Sequence, residues 1–336
     1  MSALTKLNIE FLLKGGLATL AQLSGQGTEH MGHRIDESKT ALIVGRLLKQ
    51  LAEPMDSVRQ QAGLCLKRIL CASGVDNLNI PHRNELIDLL GFEIESDCRG
   101  AWSEPTVAFP LALKAATVGE DAYFVNIVAG MTLSTGSRLE AIRKSAESSL
   151  LRWFTDVKDT EFPEKLGWEL LSLLRTRSSV GRFVLCTIKT LKVLLANRCL
   201  DTVLADLSFA AGLVEALHAS ELSCGDVHRL IGIVDVLVSL IDAPNAVRVH
   251  GEALSFLCSF LVHRFPRVRS YAAEQIYVVL LEHSSLINEH NEEAVLETLL
   301  RTAWTADIQL ARKETDYIVS GLSIPCDDKA ISAGPR

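Results

Sequence analysis

The chain lacks the residue patterns that most enzymes need. It has no GxxxxGKS or GxxxxGKT loop to cradle phosphates, no HExxH, no GxSxG and no PCxxC. Gly25-Gln26-Gly27 is followed by neither Lys-Ser nor Lys-Thr, so it reads as a loop and not as a phosphate site. Long apolar runs are missing too. The longest, Leu230 to Ile241, is broken by Asp235 and Ser239 and falls short of the roughly 20 apolar residues that cross a bilayer. No signal-peptide pattern precedes it. The eight cysteines form no CxxC pair, and Cys65, Cys186 and Cys258 sit within apolar stretches, which reads as reduced core thiols of a cytosolic protein. Basic charge is in the minority, with 34 Lys and Arg against 41 Asp and Glu and a net charge of −7, which disfavours nucleic acid as a partner. No segment alternates polar and apolar residues long enough to make a strand. What remains is a chain of 48% hydrophobic and 22% charged residues, with only nine prolines, which is too apolar for disorder.

The apolar residues recur with a helical period. The stretch from His263 to Glu282 places Ala272, Ile276, Val279 and Leu280 on one face, with Pro266 suited to the first helical position and Arg269 in the first turn, expected to point away from the stripe. The same order of branched aliphatic, Arg, small residue and large aliphatic recurs in Val58-Arg59 with Ala62 and Leu66, and in Ile142-Arg143 with Ala146 and Leu150. Val247-Arg248 with Gly251 and Leu254 is a looser copy. Arg59 and Arg143 are 84 residues apart, two repeats of about 42, within the HEAT range of ~40–47. A repeated unit that cannot bury its own face must stack on its neighbours. The fold class expected is therefore all-α, an α-solenoid of irregular HEAT-like (ARM-type) helix pairs. The division expected is HEAT-like helices over 1–72, an irregular insertion over 73–110, further HEAT-like helices over 111–322 and a flexible tail over 323–336. Residues 3–23, apolar on more than one side, read as a cut through a longer array.

Several short strings, in order, resemble the tubulin-folding cofactor D family. They are Ile80-Pro81-His82-Arg83-Asn84-Glu85-Leu86, Trp102-Ser103-Glu104-Pro105 leading to Ala108-Phe109-Pro110, and Ile142-Arg143; then Leu194-Leu195-Ala196-Asn197, His263-Arg264-Phe265-Pro266 with Val268-Arg269, and Thr302-Ala303-Trp304. The resemblance runs from about residue 30 to about 325, is to the family's C-terminal region, and departs at Thr305, where an acid is expected. It implies a non-covalent cytoplasmic, cytoskeleton-associated factor with no cofactor and no catalysis of its own. The implied partners are β-tubulin, tubulin cofactors C and E and an ARF-like small GTPase. The implied work is assembly and disassembly of αβ-tubulin, with GTP hydrolysis by tubulin regulated jointly with the other cofactors. Two other classes stand beside it: a generic HEAT-repeat adaptor, and an enzyme hidden in the irregular 72–110 stretch.

Candidate partner-binding residues are His82, Arg83, Trp102 and Phe109, because Trp and Arg on a loop held by a rigid scaffold suit protein recognition. The alternative for Trp102 is a plug in the groove between helices. Arg59, Arg143, Pro266 and Arg269 read as the repeat signature, the arginines forming a ladder that bonds turn carbonyls or acids of adjacent repeats in preference to serving as GTPase fingers. His30 and His33 beside Glu29 and Asp36, and His283 near His290, read as solvated histidines and not as metal sites. Trp304, spaced with Leu300 and Ile308, reads as core, and Glu289, Glu292, Glu293 and Glu297 as a solvated face.

Overall fold

Pro54 separates the first two helices, and its neighbours show why the chain turns there. Glu37–Leu51 (α1) carries an acid in its first turn and a lysine in its last, both matched to the helix dipole, and Asp56–Cys71 (α2) opens on Asp56, whose carboxylate accepts from the Ser57 amide at 2.7 Å. The structure is a computed structural model that describes residues 37–71, 79–92, 101–157, 161–176, 180–222 and 224–323. The 3–23 helix, the His30 and His33 pair, the Gly25–Gly27 loop and the tail beyond Ser323 lie outside the described residues.

Among the described residues every regular element is a helix, so the all-α class stands. After α2 come Arg83–Leu90 (α3), Pro105–Ala115 (α4), Asp121–Thr135 (α5) and Glu140–Asp156 (α6). Then follow Glu161–Thr176 (α7), Gly181–Ala196 (α8), Asp201–Leu204 (α9), Leu207–Leu222 (α10) and Val227–Asp242 (α11). The last are His250–Ser259 (α12), Pro266–Glu282 (α13), Glu292–Arg301 (α14) and Ile308–Gly321 (α15). Short 3-10 turns precede α4 (Ala101–Ser103) and α12 (Pro244–Val249), and another, Phe260–Val262, follows α12. The described part of the 73–110 stretch is α3, one 3-10 turn and the first half of α4.

The chain divides into two compact units at Phe162 and Pro163. In the first, α1 packs against α2 and along α5, while α4 packs against α6. The α1–α5 contact is close because glycine stands at it from both sides. A Cβ on Gly45 would lie 2.5 Å from the Ala122 carbonyl oxygen, and one on Gly130 2.5 Å from that of Lys49. Ser134 completes the seam by donating to Ala52 O at 2.6 Å.

In the second unit α11 is central, packed by α8, α12 and α13. Leu230, Ile233, Val234, Val236, Leu237, Leu240 and Ile241 are all buried, so the longest apolar run of the sequence is a core helix covered on several sides. Burial of each such side chain is worth about 1.5–3 kcal/mol, a gain that exists only while the neighbouring helices stay in place. No single described helix is long and apolar enough to cross a membrane.

Candidate functional site

Two of the strings that carry the family resemblance, 80–86 and 102–110, lie in the first unit between α2 and α4 or on α4 itself. Residues 79–92 are tied to their surroundings by main-chain acceptors. Thr40 donates to Asn79 O, the Tyr123 hydroxyl donates to Pro81 O at 2.9 Å, and Arg83 Nε donates to Leu70 O at 2.8 Å. Burial, with Glu120 and Glu37 nearby, pushes the Tyr123 hydroxyl far above its ordinary pKa, so it stays protonated and keeps that bond. Arg83 thus satisfies one of the last carbonyls of α2. His82 is exposed, sits at φ +54° in the left-handed region and faces Glu85 at 3.1 Å. A non-glycine residue in that region is strained, and here the Tyr123 bond to the preceding carbonyl holds it.

Trp102 and Phe109 lie inside. Trp102 is 3% exposed, its ring fills the space that Gly63 leaves on α2, and the Phe92 ring lies tilted against it at 5.4 Å. Phe109 on α4 is buried under the Arg59 guanidinium, 5.4 Å from the ring centre. Trp102 is therefore the plug between helices, and the structure joins it to Phe109 through Arg59 while His82 and Arg83 stay at the edge.

Arg59 and Arg269 make the same construction in the two units. Each is the fourth residue of its helix, and each donates to the carbonyl six residues earlier, Glu53 O and His263 O, at 2.9 Å. Each also reaches a turn that carries a buried tryptophan. Arg59 donates to Ser103 O, next to Trp102; Arg269 donates to Trp304 O and Ala306 O, both at 2.7 Å. The expectation that Arg269 points away from the buried stripe is corrected, since it is 3% exposed. The reason is that α13 is covered on two sides, so Val268 and Arg269, about 100° apart around the helix, are both enclosed. Trp304 is buried and donates from Nε1 to Leu299 O at 2.9 Å.

Arg143 does not join the ladder. Its guanidinium is partly exposed and, among the described residues, meets Glu147 of its own helix, at 3.7 Å. Pro266 takes the first position of α13 as expected. At the looser copy the α-helix begins only at His250, so Val247 is turned outward in the preceding 3-10 turn, 63% exposed, and Arg248 is exposed as well. Sequence reasoning missed Arg229, a third buried arginine, which donates to Ser220 O at the end of the preceding helix. Its position in the first turn after the Asp226 cap was the available signal.

His283 pairs with Asp242 at 3.0 Å, and Glu282 brings a third ligand-type atom within 4.8 Å of both. The imidazole is accounted for by its hydrogen bond to Asp242, which joins the ends of α11 and α13. None of these arrangements places a nucleophile beside a base within an enclosed cleft. What Arg59 and Arg269 make, each within its own unit, are turns held to a helix start by a buried guanidinium.

Compared with known families, residues 41–229 match the model described as tubulin folding cofactor D C terminal. The chain belongs to this family. The match covers the first unit from α1 onward and runs to the first turn of α11, and so takes in the Arg59 clamp, the Trp102 plug and the His82 turn. No solved structure matches the chain. The cofactor D family assignment carries with it a general role in tubulin folding.

Proposed function

We propose that this protein acts non-covalently as a tubulin-folding cofactor in the cytoplasm, gripping β-tubulin on an extended helical surface while αβ-tubulin is assembled or taken apart. On this reading cofactors C and E and an ARF-like small GTPase share the surface. GTP hydrolysis by tubulin is then regulated in the joint complex, with no catalysis by this chain alone. The observation that carries it is the cofactor D family match over residues 41–229. The geometry supports it, because turns locked by buried arginines hold a surface still, and preorganised surfaces lose less entropy on binding. Of the sequence candidates, His82 is the exposed one, and it stands beside the pinned Arg83.

The test is cross-linking of the purified chain to purified tubulin, followed by mapping of the linked positions. Cross-links on either unit that are lost when unlabelled β-tubulin competes support the reading. Absence of any link, together with recovery of the chain on unrelated partners only, would overturn it. The isolated chain is expected to hydrolyse no GTP, and a turnover above the buffer blank would place chemistry in a protein read as a scaffold.

A further inference from the structure

The looser copy of the arginine signature, Val247-Arg248, stands beside a cavity. A space of about 250 Å³ opens between α9, the start of α10 and the 3-10 turn Pro244–Val249. Leu204, Ala210, Ala246 and Val249 are buried and form its floor, and the exposed Leu207 and Val247 form its rim. Among the described residues, Arg248 is the only charged one that lines it.

The other two copies use their arginines inside the fold. Arg59 and Arg269 donate to main-chain carbonyls of their own chain, and Arg269 holds the carbonyl of the buried Trp304 itself. At the third copy α12 begins only at His250, so Arg248 lies before the helix and other side chains tie the turn down. His250 Nε2 donates to Ala243 O at 3.1 Å, and Asn245 donates to Asp201 O at 2.8 Å. Arg248 is left exposed and without a partner among the described residues. The acids around it do not neutralise it. Asp206 accepts from the Ser208 amide and hydroxyl at 2.8 and 2.7 Å, and Asp201 pairs with Arg198 at 2.9 Å. Glu252, one turn on, is exposed, forms no ion pair with Arg248 among the described residues and does not line the cavity.

An apolar cavity with one unpaired guanidinium selects a ligand that joins an apolar group to an anion. The volume lies below the ~300–1,000 Å³ of sites that enclose drug-sized ligands, which leaves room for one large side chain and not for a polypeptide passing through. A chain end meets both conditions, because a C-terminal residue carries its side chain and its carboxylate on one Cα. Capture of a terminal carboxylate is a recurrent mode of peptide recognition, and a guanidinium can hold it through two parallel N–H···O bonds. We propose that this cavity binds the C-terminal residue of a partner protein, a large apolar one, with its side chain on the floor and its carboxylate on Arg248. The bound pair would reproduce in trans what Trp304 and Arg269 make within the chain. The proposal does not depend on that partner being tubulin, so it stands or falls apart from the cofactor reading.

The test uses the full chain and the peptide Gly-Ser-Gly-Ser-Phe, labelled with fluorescein at its N-terminus and ending either as the free acid or as the amide. Anisotropy titration is expected to show the free acid binding at least about tenfold tighter than the amide, and tighter by a similar factor than a free-acid peptide ending in glycine. Arg248→Gln should bring the free acid down to the level of the amide. Leu207→Glu places a carboxylate that suits the first turn of α10 at the rim, where it repels the ligand, and should weaken the free acid by about tenfold. Melting curves should show both variants folded. No saturable binding by wild type up to about 1 mM would overturn the proposal, and so would acid and amide binding within about twofold of each other. Retention of wild-type affinity within about twofold by both variants counts against it equally. Equal binding of an amidated peptide with an internal Phe-Asp would replace the chain end by an internal acidic segment, and full displacement by octanoate at matched concentration would assign the cavity to a free fatty acid; either result rejects the chain-end assignment.

Discussion

Arg269 holds three main-chain carbonyls from two different turns, and no other side chain could replace its planar fork of donors. Arg269→Ala leaves those acceptors without their charged donor, and the expected loss of stability is about 3 kcal/mol or more in urea denaturation. Arg269→Lys should lose most of the same amount, because one ammonium cannot span both turns. Arg143→Ala is the control. With a partly exposed contact to Glu147 among the described residues, it should stay within about 0.5 kcal/mol of wild type. Glu169, half-buried on α7, supplies the pH prediction at this scale. Burial raises its pKa from the ordinary 4.5 to about 7, so the folded protein holds a proton there that the unfolded chain has released. Stability from this group is therefore present below about pH 4.5 and is lost as pH rises through 7. Glu169→Gln should melt above wild type at pH 8 and close to it at pH 4.5; a constant difference across that range would refute the assignment.

Helices meet closely only where residues are small enough, and the α1–α5 seam makes that an element-scale prediction. Gly45→Ala and Gly130→Ala each drive a methyl group to 2.5 Å from a main-chain oxygen of the facing helix, which cannot rotate away. Alanine ordinarily favours a helix over glycine, yet here each change should cost about 1–3 kcal/mol as the two helices are pushed apart. Thermal melts that rise instead would show that the seam has slack. Trp102→Ala, which empties the space over Gly63, should lose about 3–5 kcal/mol. The helices themselves were legible from local pattern. Pro266, read as a first helical position, opens α13, and Val58, Ala62 and Leu66 share the buried face of α2, because prolines and the 3.6-residue period are local signals. The looser copy at Val247-Arg248 was less so: α12 begins only at His250, since Pro244 opens a 3-10 turn that period alone does not distinguish from a first helical turn. Orientation was the harder reading. Arg269 is inside because a turn 35 residues on folds over it, and Trp102 because its own turn closes on Arg59, 44 residues back, and such partners leave no mark at the residue itself. The glycine seam was missed for the same reason, since each glycine is explained only by the helix it faces.

At the scale of the whole molecule, the family match and the folded structure end in different places. The match stops at residue 229, within the first turn of α11, whereas the packing of the second unit is built around that helix. Gly232 lies so close to Ile188 that a Cβ there would stand 2.9 Å from its methyl group, so α11 is the cover for the apolar face of α8. Arg229 itself closes the α10–α11 turn through Ser220 O. A fragment of residues 37–229 keeps α7, α8 and α10 but loses most of α11, the helix that packs along α8, whose buried residues include Ile188, Leu191 and Leu195. Exposing three such side chains removes about 4–9 kcal/mol, comparable to the whole stability of a domain. The fragment 37–229 should therefore bind a hydrophobic dye and melt without a cooperative step from its second unit. The fragment 37–323, which retains α11, α12 and α13 around that face, should melt cooperatively. Equal cooperativity in calorimetry would mean that α8 needs no cover, and the stacking principle drawn from the repeat pattern would then fail for this unit.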